Sequence, residues 1–217
     1  MAATRNTTST PSTRERMIAG AIESLRVHGA SATTVDRVLA DTGAPRGSVY
    51  HHFPGGRGQL ITDAVGTAGE VMSSYIEHIT RTSDPAQALD RFADMWRKTL
   101  RDSDFRAGCP IFAVAVETND DAPEFATAAA AVFARWHTAL VELFRRDGVP
   151  TDRADRLAAL TISAVEGAIA LCRAQRTLVP LDDTVAELKS LLPRPLTTGA
   201  RTSPVRSTGS RSGSRNP

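Results

Sequence analysis

Residues 46–53, Arg-Gly-Ser-Val-Tyr-His-His-Phe, place a guanidinium, two hydroxyls and two imidazoles within eight positions. Such donors suit phosphate oxygens and the base edges of a DNA groove more than they suit bond-making chemistry. Arg46 can grip a guanine edge or a phosphate, and Gly47 lets the backbone come close. Ser48 can bond either partner, while Tyr50 and His51 suit phosphate oxygens at the groove wall. Val49 and Phe53 lie four apart and are expected to anchor this segment inward. Thr33 and Thr34 upstream and Arg57 downstream complete the expected DNA-facing set, Arg57 as a phosphate holder. His51 and His52 are neighbours on a helix and point about 100° apart with no third ligand nearby, so no metal is expected. The chain has no GxSxG, no HExxH, no CxxC and no nucleotide-binding glycine loop after a strand. No enzyme and no cofactor are therefore expected.

A short reading segment needs rigid neighbours, and the flanking sequence supplies them. Ser12 and Glu15 form a capping box at a helix start, and Met17, Ile18, Ala21, Ile22 and Leu25 recur at helical spacing behind it. Gly29 is expected to end that helix. Thr33 or Thr34 caps a second one carrying Val35, Val38 and Leu39, and Gly43 breaks it. Pro45 is expected to open the third helix at its first turn. Pro54 stops it, and residues 55–58 lead into a fourth.

These residues resemble the N-terminal domain of the TetR family of bacterial transcriptional regulators. The similarity rests on Thr33–Val35, on the glycine turn over residues 40–44 and on RGSVYHHF, and it runs from about Thr13 to Leu60. GAPRG and FPGGRGQL are similar to the LmrA/YxaF branch in particular. Arg57-Gly58 departs from the Lys-Glu pair usual there, a change expected to alter affinity more than role. The resemblance implies an all-α fold, with a three-helix helix-turn-helix domain followed by a larger helical effector-binding and dimerisation domain. It also implies a homodimer bound to double-stranded operator DNA, acting as a repressor released by a small-molecule effector.

Charge agrees with an oriented DNA binder. Residues 1–60 carry seven Arg against four acids, and residues 61–192 carry fourteen basic side chains against twenty acids. A basic front joined to an acidic body presents only its front to a duplex. The expected boundaries are a disordered 1–11, a DNA-binding domain over 12–57, a helical domain over 58–192 and a disordered tail over 193–217. That tail carries five Arg and no acid, and is read as solvated. Its polar start, two cysteines and lack of any 18–20-residue continuous apolar run point to a reduced, cytoplasmic protein with no membrane partner.

The body reads as long amphipathic helices broken by turns, without strands or repeats. Helices are expected at about 58–81, from Asp84-Pro85 through Leu100, at 111–117, 123–147 and 151–178, and at 182–192. Thr151 is the expected cap of the 151–178 helix. That helix carries apolar residues on more than one face, so one side should meet a partner subunit. A lipophilic effector is expected beside Phe92, Met95, Trp96, Phe105, Phe112, Phe133 or Trp136, with Glu117, Asn119 or His137 as polar anchors. Core packing is the alternative for every aromatic among them. Arg-Ala-Gly-Cys-Pro at 106–110 is a second point of resemblance to the LmrA/YxaF-like domain. Cys109 at a helix start leaves open a thiol-based redox or electrophile sensor on the same fold; a constitutive repressor without effector is the other alternative.

Overall fold

Helix boundaries fall where a side chain or a turn can satisfy the free backbone groups. In the computed structural model, which describes residues 11–117 and 122–192, Ser12 Oγ accepts from the Glu15 amide at 3.2 Å. Glu15 Oε2 in turn accepts from the Ser12 amide at 2.7 Å. This reciprocal cap starts α1 (Thr13–His28), which Gly29 ends. Thr34 Oγ1 accepts from the Arg37 amide at 3.2 Å and caps α2 (Val35–Thr42), closed by a left-handed Gly43. After α3 (Ser48–His52) comes α4 (Gly56–Thr82), a 27-residue helix that runs from the head into the body. Asp84 Oδ1 caps α5 (Pro85–Asp102) through the Gln87 amide at 2.8 Å. The remaining elements are α6 (Pro110–Glu117), α7 (Pro123–Arg146), α8 (Thr151–Gln175) and α9 (Val179–Ser190). The described residues contain no strand. The expected disorder of residues 1–10 and of the tail, and the Asn119 anchor, lie outside them.

Three boundaries differ from expectation. Pro45 does not open α3, because the Ser48 amide and the Ser48 hydroxyl both return to the Pro45 carbonyl, at 2.9 and 2.6 Å. Arg46 and Gly47 therefore sit in a turn, and the helix begins at Ser48. Thr151 is the first residue of α8 rather than its cap, which falls on Pro150 without a side-chain bond. The last helix begins at Val179, three residues before expectation, with Pro180 in its first turn.

One apolar core runs through head and body. Met17, Leu25, Val38, Val49, Phe53 and Leu60 pack the three short helices against the start of α4. Further along, α4 lies on α7, where the Trp136 indole donates to Ser73 Oγ at 2.9 Å and Arg135 pairs with both Glu70 and Glu77. Arg146 closes the far end on the carbonyls of Thr80 and Ser83. α9 is tied to α5 by Lys189 to Asp90 and by Arg97 to Asp182, both at 2.7 Å. α8 is long and apolar enough, by length and composition, to cross a membrane, with a mean hydropathy of 1.6 over 18 residues. Here its buried face packs on α7 and α9.

Candidate nucleic-acid interface and its link to the body

The turn before α3 and the outer side of α3 form one exposed surface. Tyr50 is 76% exposed while Val49 beside it is 2% exposed, so the helix separates a reading side from an anchoring side. Arg46, Gly47 and His51 are exposed with Tyr50, and Thr34 joins them from the start of α2. The Arg46 side chain is 83% exposed and meets only Asp36 Oδ1, at 3.0 Å. A pair so exposed holds its partners weakly, which leaves the guanidinium free to change partner. Asp36, for which the sequence suggested no role, is the carboxylate that holds the Arg46 guanidinium here. Ser48 is half-buried and its proton is committed to Pro45. Its oxygen can still accept. The His51 and His52 rings meet edge to face, 4.9 Å between centroids. Among the described residues no cluster of three or more His, Cys, Asp or Glu could hold a metal.

Two residues expected to touch DNA are used inside the protein. Thr33 is 1% exposed, and its hydroxyl bridges Ser24 Oγ at 2.9 Å and the Gly29 carbonyl at 2.7 Å. Arg57 turns inward as well: Nε donates to the Thr33 carbonyl at 2.9 Å and Nη2 to the Ala30 carbonyl at 2.6 Å. Its guanidinium lies 5.9 Å from the centre of the Phe125 ring on α7. A buried carbonyl without a donor is expensive, so the loop between α1 and α2 takes the arginine that the sequence reading assigned to phosphate.

Other body residues close on the last turn of α1 and on the same loop. The Gly108 amide donates to the Arg26 carbonyl at 2.9 Å, and Arg173 Nη2 from α8 donates to the Val27 carbonyl at 3.2 Å. Glu117 Oε2 accepts from the Ser31 amide at 2.7 Å. Glu117 is thus a clamp on the head as well as part of a cavity wall. Gly29 has φ +83° where the loop passes Glu117. A side chain at Gly108 would strike the Arg173 guanidinium, 2.8 Å from the position of its Cβ. The Arg-Ala-Gly-Cys-Pro turn therefore acts at the junction: its glycine brings backbone and guanidinium together at the end of α1.

The expected effector residues divide between two cavities. Phe92 and Trp136 line an apolar cleft between α4, α5, α7 and α8, which holds only about 50 Å³ of free volume. Phe112 and Glu117 line a second cavity of about 260 Å³ where α1 ends against α6 and α8. Met95, Trp96, Phe133 and His137 line neither. Trp96 is 2% exposed and edge-on to Phe92, while Phe133 is edge-on to Trp136 at 5.2 Å. Both are packing residues. His137 is spent on α8, with Nε2 3.1 Å from the Asp155 carbonyl. Phe105 belongs to the partly buried rim of the core.

Glu166, absent from the sequence reading, borders both cavities. It is 4% exposed, and its Oε2 has no hydrogen-bond partner among the described residues. Burial pushes its pKa up to about 7, opposed in part by the Cys109 thiol. That thiol is pushed well above its ordinary range by burial first and by the Glu166 charge second. The helix start at Pro110 does not compensate, and a thiol held protonated this way is a poor nucleophile. At 4% exposure and with its proton held, Cys109 lacks the access and the lowered pKa that a redox sensor uses. For Glu166, a folded pKa above the unfolded value of 4.5 means that the unfolded chain releases its proton first. This contribution to stability therefore falls as pH rises from about 4.5 to about 7, and is level above. Glu166→Gln should make the protein more stable above that window, by up to roughly 3 kcal/mol. Urea unfolding at about pH 5 and about pH 8 checks this; an equal gap at both would refute it.

Comparison with known proteins agrees with this arrangement. Residues 17–62 match the family described as bacterial regulatory proteins, tetR family. Residues 85–187 match the LmrA/YxaF-like C-terminal domain of transcriptional regulators. The chain is 46% identical over 185 residues to the HTH-type transcriptional regulator Rv0196 of Mycobacterium tuberculosis, covering 82% of this chain and 93% of that one. It is 26% identical over 182 residues to the HTH-type transcriptional regulator LmrA of Bacillus subtilis, covering 83% and 97%. A TetR transcriptional regulator from Legionella pneumophila shares the fold at a TM-score of 0.79 and 18% identity, over 85% of this chain and all of that one. The relatives are regulators of transcription rather than enzymes, and this chain belongs to the TetR family of DNA-binding bacterial transcriptional regulators, with a C-terminal domain of the LmrA/YxaF-like type.

Proposed function

We propose that the protein is a cytoplasmic homodimeric repressor, released from a pseudo-palindromic operator by a small lipophilic molecule. The observation that carries this reading is the clamp on the last turn of α1 and the loop that leads to α2. Body residues Gly108, Glu117 and Arg173 hold it, with Arg57 at the start of α4. A head fixed this way follows any movement of the body. Two heads would enter successive major grooves, each presenting Arg46, Gly47, Tyr50 and His51, with Thr34 at the flanking backbone.

A dimer is supported by the outer side of α8, where Leu160 (45% exposed) and Leu171 (51% exposed) flank Ala164 and Gly167. Apolar and small residues at that spacing let two helices approach closely. The effector would enter the apolar cleft, where Phe92 and Trp136 meet the last turns of α4 at Ile76, Ile79 and Thr80. About 50 Å³ is far less than a drug-sized molecule needs. Occupancy therefore requires α4 and its neighbours to part, and Arg57 carries that displacement to Ala30 and Thr33. The effector must bind the DNA-incompetent arrangement more tightly, since equal affinity for both would shift nothing.

The test is titration of the purified protein with the DNA upstream of its own gene, at two salt concentrations, followed by a lipophilic compound screen for release. Expected are tight, sequence-selective binding with two chains per operator and at least one compound that lowers affinity. Weak binding with only a steep salt dependence, equal on unrelated DNA, would refute the operator reading.

A further inference from the structure

The cavity of about 260 Å³ between the end of α1, α6 and α8 has opposite charges built into its walls. Glu166 Oε2 and Arg173 Nε are both buried, and neither has a hydrogen-bond partner among the described residues. Native proteins seldom leave such atoms unpaired. The two side chains are seven residues apart on α8, which puts them on one face, two turns and about 10 Å apart along the axis. Both residues line the cavity without bonding each other through these atoms, and Phe112 and Ile169 give its wall apolar surface. Glu166 is 4% exposed and lines this cavity as well as the apolar cleft, so its unpartnered oxygen is shielded from bulk water.

We propose that this cavity binds a small amphoteric molecule, with an amine or other hydrogen-bond donor at one end, a carboxylate at the other and a flat apolar middle. The donor meets Glu166 Oε2, the middle lies against Phe112 and Ile169, and the carboxylate takes the Arg173 fork through Nε and Nη2. A forked pair of this kind is stronger than one bond to a neutral carbonyl. Arg173 Nη2 at present holds the Val27 carbonyl at 3.2 Å. A bound carboxylate draws it away and loosens the end of α1. This deepens the release reading by giving it a second site, a ligand class and a lever on the head. It stands apart from the apolar cleft, although Glu166 borders both.

The test uses the full-length protein without DNA and 4-(aminomethyl)benzoate as the probe, with benzylamine and benzoate as its two halves. Calorimetric titration should show the whole probe binding at least about tenfold more tightly than either half. Glu166→Leu should remove its advantage over benzoate, and Arg173→Met its advantage over benzylamine. Amide hydrogen exchange over residues 27–34 should quicken when the probe is bound. Should Arg173→Met fail to fold, Arg173→Lys takes its place, with an intermediate loss expected. No binding of the whole probe at millimolar concentration, or binding that neither variant changes, overturns the site. Binding with unchanged exchange at residues 27–34 overturns the lever. Operator binding plays no part in either readout, so failure here leaves the release reading standing, and failure of that reading leaves this site untouched.

Discussion

Arg46→Ala should weaken binding to the specific operator by about a hundredfold or more while leaving the fold intact. A forked guanidinium contact with a guanine edge is worth about 1–3 kcal/mol, and a dimer would lose it twice. The free protein should lose almost nothing, because the side chain is 83% exposed and its one partner, Asp36, is 70% exposed. Fluorescence anisotropy on operator and scrambled duplexes separates reading from attraction. Loss confined to the operator marks a base contact, whereas equal loss on both, with a salt slope smaller by about one per head, marks a phosphate contact. A change below about threefold on both duplexes would remove Arg46 from the interface altogether. Tyr50→Phe is the companion variant, since it deletes only the hydroxyl from a ring that is 76% exposed.

The second large effect is expected at Gly29→Ala, a single methyl placed far from the DNA-facing side chains. Its Cβ would lie 2.0 Å from Glu117 Oε1, on a backbone at φ +83° that side chains rarely adopt. Glu117 must retreat, and the Ser31 amide then loses its acceptor. With ψ at 177° this backbone lies in a region kept almost wholly for glycine and costs about 1–3 kcal/mol, and loss of the exposed Ser31 hydrogen bond costs about 0.5–1.5 kcal/mol more. A total destabilisation of roughly 2–4 kcal/mol follows. Glu117→Ala on its own should cost only the amide term. Because Glu117 has already gone from the double variant, its backbone cost should remain and its collision should not. Denaturant melts of the three variants test this, and strict additivity would show that Gly29 and Glu117 do not meet.

What the sequence made legible follows a physical line. Caps and breakers act on backbone within a few residues, so Ser12, Gly29, Thr34, Gly43 and Asp84 could be read directly, and all bound helices in the structure. The exposed run around Tyr50 was legible because polar donors alternate there with two apolar anchors. Thr33 and Arg57 were misplaced, and the clamp role of Glu117 missed, for a shared reason: each bonds backbone atoms, and no residue type marks a backbone group in need of a partner. The α3 start was misjudged because Pro45 suits a turn as well as a first helical turn. Glu166 did leave a signal that went unused. It is the only charged residue between Leu157 and Cys172, in a stretch otherwise apolar, small or hydroxyl-bearing. An acid in such a helix is either turned to solvent or held inside for a purpose, and periodicity could not say which.

The clamp on the head meets it through backbone atoms alone. The carbonyls of Arg26, Val27, Ala30 and Thr33 and the amide of Ser31 are its five points of attachment. None depends on the side chain at its own position, apart from the glycine at 29 that lets the loop pass Glu117. These five points are therefore blind to the side chains of α2 and α3, although the apolar core and the Arg14–Asp63 pair also join α1 to α4. Substitutions that retune DNA preference in α2 and α3 leave the coupling to the body intact, so target choice and signal response can drift independently during descent. The same blindness makes the head a transplantable part: one from a relative with a glycine at this position should dock on this body as a working chimera, answering this body's signal at the donor's operator.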